Sequence, residues 1–277
     1  MAGFSRCLRN MDNTPITSSS NSKIKAAAQL LTKKGRNEQG EFLIEGIKLI
    51  IEAMESGLTL TSVFVLDELW DEYSPLFSSC ACNVICVSSN VLEKLSDCQT
   101  PQGIIGQFSM PKEKSPQGIL ATGGLVLFLD GVSDCGNLGT LIRTCEAAGV
   151  SGIITSKGSA EIFSPKTVRS AMGAAFRVPV YQGISHDELK ELIEEFDYSL
   201  ASLDMNGENI YTADISSVER ILLALGNEAH GISAYTAQLS DIILSIPMCG
   251  KIESLNVAMA GGIAMFEIKR QKTYHKA

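Results

Sequence analysis

From Leu125 onward, strand-length apolar runs alternate with helical patterns, and three of those runs end in polar loops that carry glycine. Leu125–Leu129 stops at Asp130-Gly131 and leads to Asn137-Leu138-Gly139-Thr140-Leu141-Ile142-Arg143. Ile221–Leu225 ends in Gly226-Asn227-Glu228, and Ile242–Ile246 ends at Pro247-Met248, ahead of Ser254-Leu255-Asn256. Unbroken apolar runs of this length suit strands buried on both faces. Their alternation with helices predicts an α/β fold, a mostly parallel sheet with helices on both faces. In such sheets the carboxyl ends of the strands, where these loops lie, are the usual place for a binding site. Further strands are expected near 152–155, 178–180 and 198–203, and helices near 138–148, 165–174, 187–196 and 255–270. Ser164-Pro165 reads as a cap followed by proline at the first helical position.

The front of the chain reads as a separate, smaller α/β domain over 22–109. Residues 1–21, rich in Ser, Thr and Asn, read as a flexible tail. Ser22 can cap a helix carrying Ile24, Ala27, Ala28 and Leu31, and Gly35 and Gly40 bracket a loop. Strands follow at Phe42-Leu43-Ile44, Val63-Phe64-Val65, Val84–Val87 and Ile104–Phe108, with a helix after Glu45-Gly46 and a short one at Ser89–Leu95. The stretch 110–122, with Pro111 and Pro116, reads as a linker, and 123–277 as the second domain.

At 277 residues with 45% apolar and 19% charged residues, the chain is globular in composition. No apolar run approaches the roughly 20 residues that span a bilayer, and nothing near the N-terminus reads as a signal peptide. Of the eight cysteines, Cys80, Cys82 and Cys86 are closely spaced, but beside Val84, Ile85 and Val87 they read as buried thiols, and no metal is expected. Reduced thiols fit a cytoplasmic protein. Net charge is −8, against the basic character usual for nucleic-acid binding. The first forty residues nevertheless hold seven Lys/Arg and two Asp/Glu, so a basic front stands on an acidic body.

Each loop admits a bland reading. Asn137 can cap a helix and leave Arg143 on its surface, six residues or roughly 600° of helical rotation further on. A dinucleotide loop, as in a nucleotide-dependent oxidoreductase, is a weaker option, because Gly131, Gly136 and Gly139 lack the G-x-G-x-x-G spacing. Gly226 would let a ligand lie against the backbone, and Glu228 could accept hydrogen bonds from a substrate hydroxyl or pin Arg143. His230, alone in a loop, reads as polar surface. Ser254 is a natural helix cap, and Asn256 would prefer a side-chain task. Gly261-Gly262 inside the last helix costs roughly 1 kcal/mol each, which a close neighbour would offset.

Together and in order, the three loops resemble the signature motifs of the SpoU class of RNA ribose methyltransferases, within the SPOUT group, over roughly residues 123–270. Phe42-Leu43-Ile44-Glu45-Gly46 and Pro101-Gln102-Gly103-Ile104 resemble an L30e-like RNA substrate-binding domain. The resemblance implies a C-terminal trefoil knot, a homodimer with its site near the subunit interface, and S-adenosylmethionine as cofactor. It also implies methyl transfer to a ribose 2′-hydroxyl of structured RNA, ribosomal RNA ahead of transfer RNA. By motif position, Gly226, Ile246 and Leu255 would contact the cofactor, and Asn137, Arg143, Glu228, Ser254 and Asn256 would serve the chemistry. Lys23, Lys25, Lys33, Lys34 and Arg36 would meet RNA phosphates. A non-catalytic RNA-binding or assembly factor on the same scaffold is the alternative.

Overall fold

The computed structural model describes residues 13–252 and 254–274. The chain divides into two units: one runs to Pro111 and takes in Phe163–Arg169, and the other holds Lys112–Ile162 and the chain from Ser170 onward.

The first unit contains α1 (Ser22–Gln29), α2 (Lys33–Gln39), β1 (Glu41–Glu45), α3 (Ile47–Glu55), β2 (Leu60–Leu66), α4 (Trp70–Tyr73), β3 (Asn83–Val87), α5 (Ser89–Leu95) and β4 (Ile104–Ser109). Its sheet has the order β1-β4-β2-β3, antiparallel except for the β2–β3 pair. Ile24, Ala27, Leu30, Phe64, Val91 and Leu95 pack as one apolar cluster beneath it. Three expectations change here. Asn21, not Ser22, caps α1. The stretch around Gly35 is helical: its Cβ position lies against the Gln29 carbonyl, so only glycine lets α2 pass so close to α1. The described part of the expected tail, 13–21, is held. Ile16 N–H donates to the Cys86 carbonyl (2.9 Å) and its carbonyl accepts from Ser88 N–H (3.2 Å), extending the sheet edge at β3. Residues 1–12 lie outside the described residues.

The second unit contains α6 (Pro116–Leu120), β5 (Leu125–Asp130), α7 (Cys135–Ala148), β6 (Gly152–Ser156), α8 (Pro165–Ala171, its last residues in this unit), β7 (Val180–Ile184), α9 (His186–Phe196), β8 (Ser199–Asn209), β9 (Ile221–Gly226), α10 (Ala234–Leu239), β10 (Ile242–Ser245) and α11 (Val257–Tyr274). Its sheet runs β10-β8-β9-β5-β6-β7 with every pair parallel, as the alternating pattern predicts. Side chains alternate between the two faces. Val126, Phe128, Leu222 and Ala224 join Ile119, Leu120, Leu189 and Leu192 on the face of α6 and α9. Leu225 turns the other way, toward Leu141 of α7 and Gly261 of α11. The linker is shorter than expected, because Ser115 caps α6 and buries Ile119 and Leu120 completely.

A Cβ on Gly261 would stand 2.5 Å from Leu225 Cδ1 and 2.7 Å from Leu141 Cδ2. The glycine is required by close packing of α11 on α7 and β9, not by any unusual backbone angle. Gly261→Ala is expected to overpack this contact and destabilise the fold by about 1–3 kcal/mol, measured by urea denaturation. An unchanged midpoint would show that the interface yields freely.

Candidate active site

Asp130 at the end of β5 pairs in register with Gly226 at the end of β9, so the first two motif loops leave the sheet side by side. Asp134, not Asn137, caps α7, its Oδ1 accepting Asn137 N–H at 2.8 Å. The helix therefore starts before Asn137, and the Asn137 amide is free to reach outward. Its Nδ2 donates to Glu228 Oε1 (3.0 Å), and its Oδ1 accepts from Asn256 Nδ2 (2.9 Å). Glu228 also accepts from Asp134 N–H (3.2 Å), Ser133 N–H (3.3 Å) and Ser133 Oγ (3.4 Å). Asn256 in turn caps α11, with Oδ1 accepting from Ala258 N–H (2.9 Å) and Met259 N–H (3.2 Å). One residue from each motif thus closes a single chain of hydrogen bonds, Glu228–Asn137–Asn256.

This arrangement revises several roles. Ser254 does not cap α11. It is exposed and makes no hydrogen bond among the described residues. Asn137 has both ends of its amide engaged, with one N–H and one oxygen lone pair left over. Glu228 pins Asn137 rather than Arg143. Arg143 is exposed on α7 and makes no ion pair or hydrogen bond among the described residues. Gly226 is glycine because the loop folds back on it: a Cβ there would collide with the Gly231 carbonyl carbon and Ile232 N. The space on its Cβ side is filled by protein, which leaves its main-chain groups as the part that can face a ligand. Asn227, unmarked in the sequence, locks the loops together by donating from Nδ2 to the Gly131 carbonyl (2.8 Å).

Ile246 and Leu255 are half-buried in the one segment that links β10 to α11, and Gly226 ends β9. Partly open apolar side chains and main-chain groups are the donor set that suits an adenosine moiety, so these residues fit the expected cofactor. A groove of about 500 Å³ lies between α7 and α11, bordered by Asn137, Thr140, Thr144, Met259, Ile263 and Phe266. Thr140 and Thr144 donate their hydroxyls to helix carbonyls, both at 2.8 Å, so that little polarity is left to face the groove.

In the first unit, Lys23, Lys25, Lys33 and Lys34 are exposed, as the RNA reading requires. Arg36 is not: it is only 3% exposed, and its guanidinium donates to the Leu30 carbonyl at 2.7 Å, closing the C-terminus of α1. Its place in the sequence among lysines concealed this structural task. Cys82 and Cys86 are buried and Cys80 is half-buried. Among the described residues, the group of potential ligands close enough to hold a metal is instead Glu45, Asp97 and Cys98, and Arg169 already pairs with Asp97 there at 2.6 Å. Cys7 lies outside the described residues. No helix among the described residues is long and apolar enough to cross a membrane.

Burial alone would push the Glu228 carboxyl up. The hydrogen bonds from Asn137 and from loop amides outweigh it and hold the group below the ordinary glutamate range. A depressed folded-state value means that the ionised carboxylate stabilises the fold above the unfolded-state value. That contribution is lost as pH falls through the folded-state value. Asn137→Ala is therefore expected to raise the Glu228 titration midpoint, followed by carboxyl carbon NMR, and to start acid loosening at higher pH. A midpoint that stays put would show that Asn137 does not set the charge of Glu228.

Comparison with known proteins agrees with this geometry. Residues 124–266 match the model of the SpoU rRNA Methylase family, and residues 21–106 match the MRM3-like substrate binding domain. The chain is 35% identical over 254 residues to the 23S rRNA (guanosine(2553)-2'-O)-methyltransferase RlmP of Bacillus subtilis (strain 168), covering 92% of this chain and 98% of that one. Its fold is similar to the crystal structure of the SpoU methyltransferase AviRb from Streptomyces viridochromogenes in complex with AdoMet, with a TM-score of 0.83, 26% identity and coverage of 92% and 99%. It is also similar to an AdoMet-bound rRNA methyltransferase from Sinorhizobium meliloti, with a TM-score of 0.78, 29% identity and coverage of 92% and 97%. Three motif loops knit by hydrogen bonds at the ends of a parallel sheet, together with a family match over more than half its length, establish that this chain belongs to the SpoU rRNA methylase family.

Proposed function

We propose that this chain methylates a ribose 2′-hydroxyl of ribosomal RNA. Its family makes it an S-adenosylmethionine-dependent RNA 2′-O-ribose methyltransferase. Ribosomal RNA as the target is supported by the substrate named for the Bacillus subtilis relative and by the match of the first unit to a substrate binding domain. The observation that carries the reading is the Glu228–Asn137–Asn256 bridge, which holds all three motifs around one site.

When bound, S-adenosylmethionine supplies a methyl group on a sulfonium, a good electrophile. The residues of the chain must do the rest: align a ribose hydroxyl, a poor nucleophile at neutral pH, and favour the alkoxide that develops. Arg143 suits the second task. A guanidinium does not act as a base under physiological conditions, and this one has no carboxylate partner among the described residues. It holds the phosphate next to the target and steadies negative charge on the oxygen rather than acting as a base. Ser254, exposed and unengaged, orients the hydroxyl. Asn137 and Asn256 shape the site from behind.

The exposed apolar borders of the α7–α11 groove, Met259 at 60% and Phe266 at 51%, support a homodimer that covers this face with a second copy. The trefoil knot that the resemblance implies is carried over to this unit as part of the same proposal. Lys23, Lys25, Lys33 and Lys34 serve as phosphate contacts of an otherwise acidic, cytoplasmic protein.

Incubating the purified chain with radiolabelled S-adenosylmethionine and either ribosomal or transfer RNA, then mapping ribose methylation, tests the target. Label in a single ribosomal nucleotide is expected; label in transfer RNA alone would reassign the substrate. A chain that shows no cofactor binding by calorimetry would instead be an RNA-binding factor.

Two further outcomes are expected. Arg143→Lys should retain part of the activity while Arg143→Ala abolishes it, and equal, complete loss with cofactor binding intact would count against a charge role. Removing the four exposed lysines together should weaken RNA binding at all sequences. It should also flatten the dependence on salt by a slope of about 0.7–0.9 for each phosphate no longer neutralised. Unaltered salt dependence would place the RNA elsewhere.

A further inference from the structure

Behind the motif loops, on the face of the sheet that α9 and α10 cover, a second set of polar groups surrounds Asp130. This carboxylate is only 6% exposed. Oδ2 accepts from Ser233 N–H at 2.9 Å and from Thr236 Oγ1 at 2.6 Å, and Oδ1 lies 3.1 Å from His186 Nε2. Ser233 Oγ donates to Thr236 Oγ1 (3.0 Å) and lies 3.3 Å from the same His186 nitrogen. A nitrogen facing an ionised carboxylate carries a proton, so His186 Nε2 is the donor to Asp130 here. A single nitrogen serves both Asp130 and Ser233, so this is no nucleophilic relay, which would need the two ring nitrogens to face different partners. It is a clamp.

What it clamps follows from the register. Gly226, where the second motif loop begins, lies opposite Asp130 in the β5–β9 ladder. Ser233, where that loop ends and α10 begins, donates its N–H to the side chain of the same Asp130. The six residues Asn227–Ile232 therefore start and finish at one aspartate. Within them the loop closes on itself through Asn227 N–H to Gly231 O (2.8 Å) and Gly231 N–H to Asn227 O (2.9 Å). Glu228 is carried on it. The first motif loop is tied to the same point: Gly131, next to Asp130, donates to Ser156 Oγ (2.9 Å) and accepts from Asn227 Nδ2 (2.8 Å).

We propose that Asp130, held by His186, is the positioning residue of this enzyme: by closing both ends of the Asn227–Ile232 loop it fixes Glu228, and through Glu228 the Asn137–Asn256 bridge. Asp130 touches no substrate and acts through Glu228. Burial would push its carboxyl up, but the Thr236, Ser233 and His186 hydrogen bonds outweigh it and keep the group ionised, as an acceptor of several bonds requires. Asp130→Asn puts an amide donor among donors and breaks the set while keeping the shape. His186→Gln keeps a donor near the Nε2 position, and His186→Ala does not.

The inference rests on the methyltransferase reading only where the cofactor is the probe, so the test has two arms. In the ligand-free full chain, hydrogen exchange at the amides of 227–233 should rise roughly tenfold in Asp130→Asn, with β5 and β9 still protected. His186→Ala should show the same pattern more weakly, and His186→Gln should restore it. His186 is one-third exposed at its side chain, so its variants fold even if Asp130→Asn does not. In the second arm, S-adenosylmethionine affinity by calorimetry should drop in Asp130→Asn and in Glu228→Gln, and the double variant should be no weaker than Glu228→Gln alone. Unchanged exchange at 227–233 in the His186 and Asp130 variants, exchange raised evenly over the whole second unit, or additive losses of affinity would each overturn the clamp. Wild-type protein that binds no S-adenosylmethionine would sink the methyltransferase reading and leave the exchange arm to decide the clamp.

Discussion

One side-chain amide holds the site together. Asn137 donates to Glu228 and accepts from Asn256, and those three residues come from segments that are far apart in sequence. An amide suits this place because it offers a donor and an acceptor on one rigid plane. A carboxylate would repel Glu228, and a hydroxyl is too short to span both neighbours. Glu228 takes its remaining hydrogen bonds from the loop that leads into α7, and Asn256 spends its oxygen on the first turn of α11. The ends of two helices and the end of a strand therefore share one hydrogen-bonded unit. Site shape and fold stability are coupled there, and a change at any of the three residues is felt at the other two.

Much of this was legible in the sequence, for reasons that differ by element. The parallel sheet was readable because strands buried on both faces need unbroken apolar runs, and Leu125–Leu129 and Ile221–Leu225 have no other use. That the motif loops converge was readable only through resemblance. No periodicity says that Asn137 meets Asn256. Caps are harder to read. At the starts of α1, α7 and α11, more than one Ser, Asn or Asp competes, and all have similar capping strength. The structure chose Asn21, Asp134 and Asn256. At α7 the choice has a functional consequence, because Asp134 as the cap releases Asn137 for the bridge. Arg36 escapes a sequence reading for a related reason. A guanidinium that closes a neighbouring helix looks, in sequence, like one more cation in a basic run.

The glycines separate into kinds that composition cannot distinguish. Gly226 and Gly261 have no positive backbone angle and are fixed by what lies beside them, a returning main chain for one and two leucines for the other. Gly131 and Gly149 instead adopt positive φ, of 79° and 68°, which other residues reach only with strain. The returning loop that carries Glu228 fills the Cβ side of Gly226, and only its main-chain groups are left to face outward. The cofactor reading then leans on the half-buried Ile246 and Leu255 and on main-chain groups.

The overall acidity of the chain has a physical place in this picture. α9 carries Asp187, Glu188, Glu191, Glu194 and Glu195 against one lysine, on the face of the sheet opposite α7 and α11. Arg143 projects from α7, free of any acidic partner among the described residues, whereas Arg177, Arg169 and Arg270 are each tied to a carboxylate. A polyanion approaching this unit is repelled by one face and meets an uncompensated guanidinium on the other. Local charge, not net charge, then sets where RNA can come in. A cation left unpaired in a chain with so many acids costs little in water, because its charge is screened and solvated. In the role proposed for Arg143, its attraction to phosphate and to a developing alkoxide would grow as RNA excludes that water and the local dielectric falls. On that charge role, the same residue stays idle in the free chain and acts strongly in the complex.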